Sequence, residues 1–433
     1  MSDSEVMEIA KNTAAAMPRD LKDTACRGTQ SLRFLIGRQP IYDRDMGVFG
    51  YELLYRPTDG RSIHSIDGSV ATSQVLLNSF LEIGLHNLVG SQLAFVNLTR
   101  DLIVSDDLLM FSPQQIALEV LEDTEVDREV LHALHTLSRQ GYVIALDDFT
   151  YEDRLKPLVE SADIVKLDIR ALEQDNLERH VTLLSGFPVK LVAEKVETHD
   201  EFEHCKALGF DYFQGYFLSR PATLESKRPP TNRLSVMRLL LKLHDPEVGM
   251  GELEMLITSD VTLSYKVLRA VNIASSYRGK VVDSIHQALI LLGMDTIKRL
   301  ATLIVLSGID DKPKELVTMA LIRAKVCELA ANQLHVGTKE VAFTVGLLSV
   351  FDAMLDTPMD SILPELPVSG DVKQALLGGE GVYGPILESA VAYERGEWSD
   401  VEQNGAIGSE NFVSALTWAT EASQLLTTIS RAA

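Results

Sequence analysis

Between residues 34 and 218 the chain alternates short apolar runs with longer amphipathic stretches. Eight runs are apolar and rich in β-branched or aromatic residues, and they span 34–42, 48–56, 94–98, 116–121, 143–149, 164–169, 189–196 and 211–218. Several stay apolar until a polar end, a pattern typical of strands that are buried on both faces. The stretches between them, such as 68–85 and 126–142, place apolar residues at helical spacing and predict helices.

Strand and helix repeated in this order predict an α/β fold in which parallel βα units close into a TIM-type (β/α)8 barrel. A doubly wound open sheet is the competing arrangement. The first two runs are joined only by residues 43–47, which predicts an antiparallel hairpin. We therefore expect a barrel with one antiparallel strand over residues 31–220.

The pattern changes at residues 219–233, where prolines and charged residues predict a linker, which we place at 221–232. Beyond it only helical spacing occurs, so residues 233–433 are expected to form a separate all-α domain. Residues 1–30 are Ala-rich and polar, and we expect a flexible leader there.

Polar side chains stand within or at the end of the predicted strands. They are Glu52, Asn97, Glu119, Asp147, Asp148, Lys166, Glu194 and Gln214. In a βα barrel the carboxyl ends of the strands meet on one face, so these groups are expected to converge. Converging carboxylates repel one another unless a cation neutralises them, and oxygen ligands select Mg2+ or Mn2+. Any single acid at such a position is more often solvated, so the prediction depends on the whole set.

Adjacent carboxylates at Asp147 and Asp148 are the most informative pair in this set. One carboxylate can lie between two metals while the other binds the second metal. Two neighbouring metals can activate a water molecule and stabilise a phosphoryl leaving oxygen. The sequence thus predicts a two-metal site for phosphoryl chemistry.

Residues 33–220 resemble an EAL domain, the family of cyclic di-GMP phosphodiesterases. Glu52-Leu53-Leu54 stands in place of the Glu-Ala-Leu that names the family. The further matching segments are 39–41 (QPI), 95–99 (FVNLT), 118–122 (LEVLE), 147–149 (DDF), 165–168 (VKLD), 193–198 (AEKVET) and 213–221 (FQGYFLSRP).

The resemblance implies hydrolysis of cyclic di-GMP to linear pGpG in bacterial second-messenger signalling. It assigns the first metal to Glu52, Asn97, Glu119 and Asp147, and the second to Asp147 and Asp148. Gln214 would complete the metal shell, while Glu194 and Lys166 would organise the attacking water. It places Gln39 and Arg56 against the ligand, and makes Glu122 and Glu197 loop supports.

Two departures from the family bear on turnover and metal affinity. The loop after the aspartate pair, residues 150–155, lacks the usual glycines, and Lys195 stands where the family motif has glycine. A second hypothesis is therefore a catalytically impaired receptor for cyclic di-GMP, or a protein-interaction scaffold. A third, a sugar-metabolising barrel enzyme, predicts no affinity for cyclic di-GMP.

Residues 231–433 resemble an HDOD domain, on the segments 259–272 and 284–300. His244-Asp245 is the dipeptide that names the HD hydrolases, but Asp245 precedes Pro246 and is expected to end a helix. We therefore interpret this domain as a non-catalytic module that regulates the barrel or binds a protein partner.

The formal charge of −22, from 62 acidic and 40 basic residues, argues against general binding to DNA or RNA. Cys26, Cys205 and Cys327 are too far apart for a metal motif and odd in number, which predicts a reducing, cytoplasmic setting. No apolar run reaches the length of a membrane span, so we expect no membrane insertion. The family likeness implies a homodimer.

Overall fold

The computed structural model describes most of the chain. The described residues are 34–57, 83–105, 111–219 without 173, 239–306 with gaps at 260–262, 265, 269–270, 273–281 and 283, and 313–431 with gaps at 367, 400 and 402–406. The predicted leader and linker lie outside them.

Eight strands form a closed barrel in chain order. They are β1 (Phe34–Asp43), β2 (Val48–Pro57), β3 (Leu93–Leu98), β4 (Ile116–Val120), β5 (Val143–Leu146), β6 (Ile164–Asp168), β7 (Lys190–Glu194) and β8 (Tyr212–Gln214). Strand β1 is antiparallel to β2 and β8, and every other neighbouring pair is parallel. The predicted barrel with one antiparallel strand is confirmed, and closure excludes the open sheet.

Six described helices connect the strands. They are α1 (Leu85–Val89), α2 (Arg100–Ile103), α3 (Arg128–Arg139), α4 (Lys156–Val159), α5 (Gln174–Leu184) and α6 (His199–Leu208). Helix α6 begins with a capping box, in which Thr198 accepts a hydrogen bond from the Glu201 backbone and the Glu201 carboxylate accepts one in return. It ends at Gly209, whose φ of 108° is the left-handed conformation that glycine adopts at low cost.

The barrel interior contains an apolar layer that fixes where the polar groups lie. Its buried members are Ile41, Phe95, Ala117, Ala145, Ile164 and Val192. Side chains two residues apart on a strand point to the same side. The next inward position toward the carboxyl end lies within β3, β4, β6 and β7 and directly after β5. It is polar in each case, namely Asn97, Glu119, Asp147, Lys166 and Glu194. The apolar layer therefore lies directly beneath these polar groups in the barrel interior.

The C-terminal half is helical, as predicted. Its described helices are α7 (Met250–Thr258), α8 (Ile285–Leu292), α9 (Met294–Leu306), α10 (Lys314–Leu334), α11 (Lys339–Leu348), α12 (Phe351–Leu355), α13 (Met359–Ile362), α14 (Gly370–Gly378), α15 (Gly384–Arg395) and α16 (Ser409–Arg431). Among the helices that the structure describes, none has both the length and the apolar surface needed to cross a bilayer.

Contacts between Cα atoms divide the described chain into two compact units. One falls within residues 238–309 and 421–433, and the other within 33–237 and 310–420. Helices α10 to α15 thus group with the barrel rather than with α7 to α9. The predicted boundary at 221–232 lies outside the described residues and stays a prediction.

Buried polar contacts join α10 and α15 to the outer face of the β1–β2 hairpin. The Tyr51 hydroxyl donates a hydrogen bond to Glu315 Oε2 at 2.9 Å, and the Arg38 guanidinium lies 4.0 Å from the centre of the Tyr51 ring. The Ile36 amide donates to the Tyr393 hydroxyl at 3.2 Å. Burial raises the pKa of Glu315. The helices of 310–420 therefore complete the packing of the barrel on this side.

His244 belongs to the unit that contains α7 to α9. Its Nε2 lies 2.7 Å from Thr302 Oγ1, and burial lowers the pKa of its imidazole to about 3. Asp245 Oδ1 accepts a hydrogen bond from the Glu247 amide at 3.0 Å, which forms a turn around Pro246. Both side chains thus have packing and turn-forming roles, in line with a non-catalytic interpretation of the dipeptide.

His244→Gln should make the unit around α7 to α9 less sensitive to acid. The folded pKa of about 3 lies below the ordinary 6.5, so the neutral imidazole stabilises the fold above pH 6.5 and this stability is lost as the pH falls toward 3. Between pH 7 and pH 5 the wild type should lose about 2 kcal/mol more than the variant. Urea unfolding at both pH values measures the difference, and parallel losses in the two proteins would contradict it.

Candidate active site

A buried lysine gathers four carboxylates at the carboxyl ends of the strands. Lys166, on β6, is fully buried. Its ammonium lies 2.6 Å from Asp147 Oδ1, 2.8 Å from Glu119 Oε1, 2.9 Å from Glu194 Oε1 and 3.1 Å from Glu52 Oε2. The acids come from β2, β4, β7 and the turn after β5, so barrel closure is what brings them together.

Two amide side chains tie the antiparallel hairpin into this cluster. Gln214 Nε2 donates hydrogen bonds to Glu52 Oε2 at 2.6 Å and to Gln39 Oε1 at 3.0 Å. Asn97 Nδ2 donates to Glu52 Oε1 at 3.2 Å. Side chains from β1, β2, β3 and β8 therefore join the acids around Lys166 in one network.

Burial and mutual repulsion set the protonation of the cluster. Burial raises the pKa of Glu194 to about 8 and also raises those of Glu119 and Asp147. Burial opposes the charged form of Glu52 as well, but Lys166 and the amide hydrogen bonds lower its pKa. Burial disfavours the Lys166 ammonium, yet the surrounding carboxylates raise its pKa. One ammonium faces four acids, so the cluster has capacity for further positive charge.

Several buried oxygen atoms of the cluster accept no hydrogen bond. They include Asn97 Oδ1, Glu119 Oε2, Glu194 Oε2 and Gln214 Oε1. Buried acceptors without partners suit a hard divalent cation, which takes oxygen ligands. Across the described residues no group of three or more Asp, Glu, His or Cys side chains already has the geometry of a metal cage. The donor chemistry of the cluster therefore fits a metal.

A second charged group lies at the rim of the cluster. Lys195, which follows β7, hydrogen bonds to Asp168 Oδ2, and its ammonium lies 3.7 Å from Asp148 Oδ1. Asp148 and Lys195 have φ angles of 42° and 59°, the left-handed region that favours glycine. Sequence reasoning did not single out Asp168 as a site residue. Its position two residues after Lys166 on one strand was the available signal.

A cleft of about 850 Å³ opens beside the aspartate pair. Its acidic lining residues are Glu122, Asp123, Glu125, Asp147, Asp148, Glu152 and Asp168. Arg154 is the basic residue among its lining, and it pairs with Glu152 at 2.5 Å. A phosphate ligand therefore needs cations in order to approach this surface.

Of the predicted support and ligand residues, Glu122 and Glu197 lie outside the network around Lys166, and the side chain of Arg56 is not described. Glu122 lines the cleft together with Thr150, so it stands beside the loop that it is predicted to brace. The Glu197 carboxylate lies 3.4 Å from Arg170 Nη2, away from the cluster. Arg56 pairs with Leu35 in the hairpin register, but its side chain is outside the described residues. The roles of these three residues stay predictions.

Comparison with known protein families gives two matches. The EAL domain family matches residues 73–221, and the HDOD domain family matches residues 230–354. A Vibrio cholerae protein named cyclic di-GMP phosphodiesterase CdgJ is 34% identical over 374 residues, which cover 85% of this chain and 87% of that protein. The chain belongs to the EAL–HDOD family. The uncharacterized protein YuxH of Bacillus subtilis is 33% identical over 404 residues, covering 89% of this chain and 98% of YuxH.

Among solved structures, this EAL–HDOD protein is similar to one described as the PaMucR phosphodiesterase in complex with c-di-GMP. The identity is 26% and the TM-score 0.38, over 43% of this chain and 96% of that one. The EAL match itself begins at residue 73, after β1 and β2. Closure of the barrel is therefore what brings Gln39 and Glu52 next to Gln214 and the acids around Lys166.

Lys166→Met should destabilise the protein, because it leaves buried carboxylates without their counter-charge. We expect a loss of about 3–5 kcal/mol at pH 8 in the presence of EDTA. The loss should shrink at pH 5, where the freed acids take up protons, and on addition of Ca2+, which can replace the ammonium. Urea unfolding measures the effect. Lys156→Met, at an exposed pair 3.8 Å from Glu160, is the control, and an equal change in both variants would contradict the expectation.

Proposed function

We propose that this EAL–HDOD protein is a metal-dependent phosphodiesterase that hydrolyses cyclic di-GMP to linear pGpG. The observation that carries the proposal is the ring of four carboxylates around Lys166, with partnerless oxygen atoms beside it. The name of the Vibrio cholerae relative, a cyclic di-GMP phosphodiesterase, supports the choice of substrate.

The oxygen donors of the barrel mouth would hold one or two ions, Mg2+ or Mn2+. We assign to this role Glu52, Asn97, Glu119, Asp147, Asp148 and Gln214. When bound, such ions lower the pKa of water and neutralise phosphate charge, which the acidic cleft otherwise repels. The ligand itself would lie against Gln39 and Arg56.

In the proposed reaction the oxygen of a water molecule bonds to phosphorus, and the bond from phosphorus to the 3′ oxygen breaks. The product keeps a 5′ phosphate and gains a 3′ hydroxyl. We assign to Glu194 the role of taking the proton from water; bound cations would lower its raised pKa toward neutrality. Lys166 keeps its charge and stabilises the negative charge that develops on the phosphoryl oxygens.

We assign a regulatory role to the HDOD part, through contact with a protein partner. A homodimer and a cytoplasmic location are part of the same proposal. The two described cysteines, Cys205 and Cys327, are buried and free, which suits a reducing compartment.

A second candidate function is a receptor that binds cyclic di-GMP without turnover. The observation that favours it is the lysine at position 195, whose ammonium lies 3.7 Å from Asp148 Oδ1, one of the two acids proposed for the second metal. The loop at 150–155, without the family glycines, favours it as well. The two functions share the ligand and differ in whether pGpG forms.

Glu194→Gln should lower the hydrolysis rate by about 10²-fold or more, because it removes the proposed proton acceptor and keeps the shape of the side chain. Glu52→Gln should abolish hydrolysis by weakening metal binding. Chromatography of pGpG after incubation with Mg2+ or Mn2+ measures both rates. Glu203→Gln, at an exposed position on α6, is the control for the loss of one charge.

If the wild type binds cyclic di-GMP in the presence of Ca2+ and forms no pGpG with Mg2+ or Mn2+, the receptor function replaces the phosphodiesterase. If the nucleotide does not bind under any of these conditions, both functions are wrong.

A further inference from the structure

Two lysines divide the acids of the site between them. Lys166 pairs with the four carboxylates deep in the barrel, and Lys195 contacts Asp148 and Asp168 at the rim. The Asp148 oxygen nearest to Lys195 is buried and accepts no hydrogen bond. The ammonium of Lys195 is therefore the positive charge next to this Asp148 oxygen.

The backbone at Lys195 indicates that this lysine is more than a surface substitution. Its φ of 59° is the left-handed conformation in which a side chain is disfavoured and glycine is not. The neighbouring Asp148 has a φ of 42°, so both partners of the contact occupy uncommon conformations. Outliers of this kind persist where the surrounding structure or a function maintains them.

We infer that Lys195 is a resident cation that competes with a metal ion for Asp148 and so weakens the second metal position. This inference rests on the proposed metal-dependent function and concerns the pair Asp147–Asp148. The ammonium neutralises part of the charge that would otherwise attract a divalent ion.

The exposure of the two lysines determines how strong this competition is. The Lys166 side chain is fully buried, whereas that of Lys195 is 55% exposed. A long exposed side chain can turn into water when a divalent ion arrives. Lys195 therefore lowers the affinity for the second ion without excluding it, and we expect an effect of about tenfold.

Calorimetric titration of the full-length protein with Ca2+ alone tests this inference, because without nucleotide no turnover can occur. Lys195→Met removes the charge and keeps a side chain at this left-handed backbone position, whereas Lys195→Arg keeps the charge. The matched control is Lys190→Met at the other end of β7, where the ammonium is exposed and paired with Asp211 at 2.7 Å. Both Met variants change the net charge of the chain equally.

We expect the wild type to bind a second Ca2+ weakly and Lys195→Met to bind it about tenfold more tightly. Lys195→Arg should resemble the wild type, and Lys190→Met should differ from it by less than about twofold. Equal affinities in Lys195→Met and Lys190→Met would overturn the inference.

Lys195→Gly separates charge from backbone strain. It should tighten the second site as Lys195→Met does, and it alone should raise the thermal midpoint, because glycine relieves the left-handed strain. Tightening in Lys195→Gly but not in Lys195→Met would assign the effect to the backbone and contradict a role for the charge.

The same titration distinguishes this inference from the function on which it rests. If no variant binds Ca2+, the proposed metal-dependent hydrolysis fails, and the inference fails with it. If the wild type binds two ions with equal affinity and Lys195→Met does the same, the inference alone fails and the phosphodiesterase proposal stands.

Discussion

A single buried ammonium, that of Lys166, is the constraint on which the mouth of the barrel depends. Glu52, Glu119, Asp147 and Glu194 all lie within 3.1 Å of it and are largely removed from water. Four such groups would not stay together without a counter-charge, since burying an unpaired carboxylate is costly. The same arrangement leaves four acids facing one ammonium, which favours the approach of further positive charge.

The need to hold these acids around Lys166 also constrains the register of the barrel strands. Each inward polar side chain of β3 to β7 stands two residues beyond an apolar one, so a shift of one residue in any strand would turn its polar group out of the site. Closure of the barrel adds the hairpin, whose Glu52 and Gln39 bond to Gln214 on β8. The chemistry of the site and the packing of the barrel are therefore fixed by the same alternation.

Much of this arrangement could be predicted from the sequence, because it follows from the order of apolar and polar residues within short segments. Apolar runs with polar ends located the eight strands, and the position of each acid at a strand end was enough to predict convergence. Other features depend on contacts between distant residues. The residues next to Tyr51 or Glu315 in the sequence do not indicate that the two form a hydrogen bond. The sequence therefore does not predict that residues 310–420 group with the barrel. The sequence also does not predict the left-handed backbone at Lys195, since lysine does not favour this conformation.

The bond between Tyr51 and Glu315 also bears on how separable the two halves of the chain are. Residues matched by the HDOD family fall in both packing units, since the match spans 230–354 and the units divide near residue 310. On β2, Tyr51 neighbours Glu52, and on β1, Arg38 neighbours Gln39, so the outward partners of α10 alternate with inward residues of the pocket. A gene fragment ending at the predicted linker would uncover this buried face. The barrel of this protein therefore cannot be exchanged between proteins by itself. Recombination that transfers the barrel must also transfer α10 to α15.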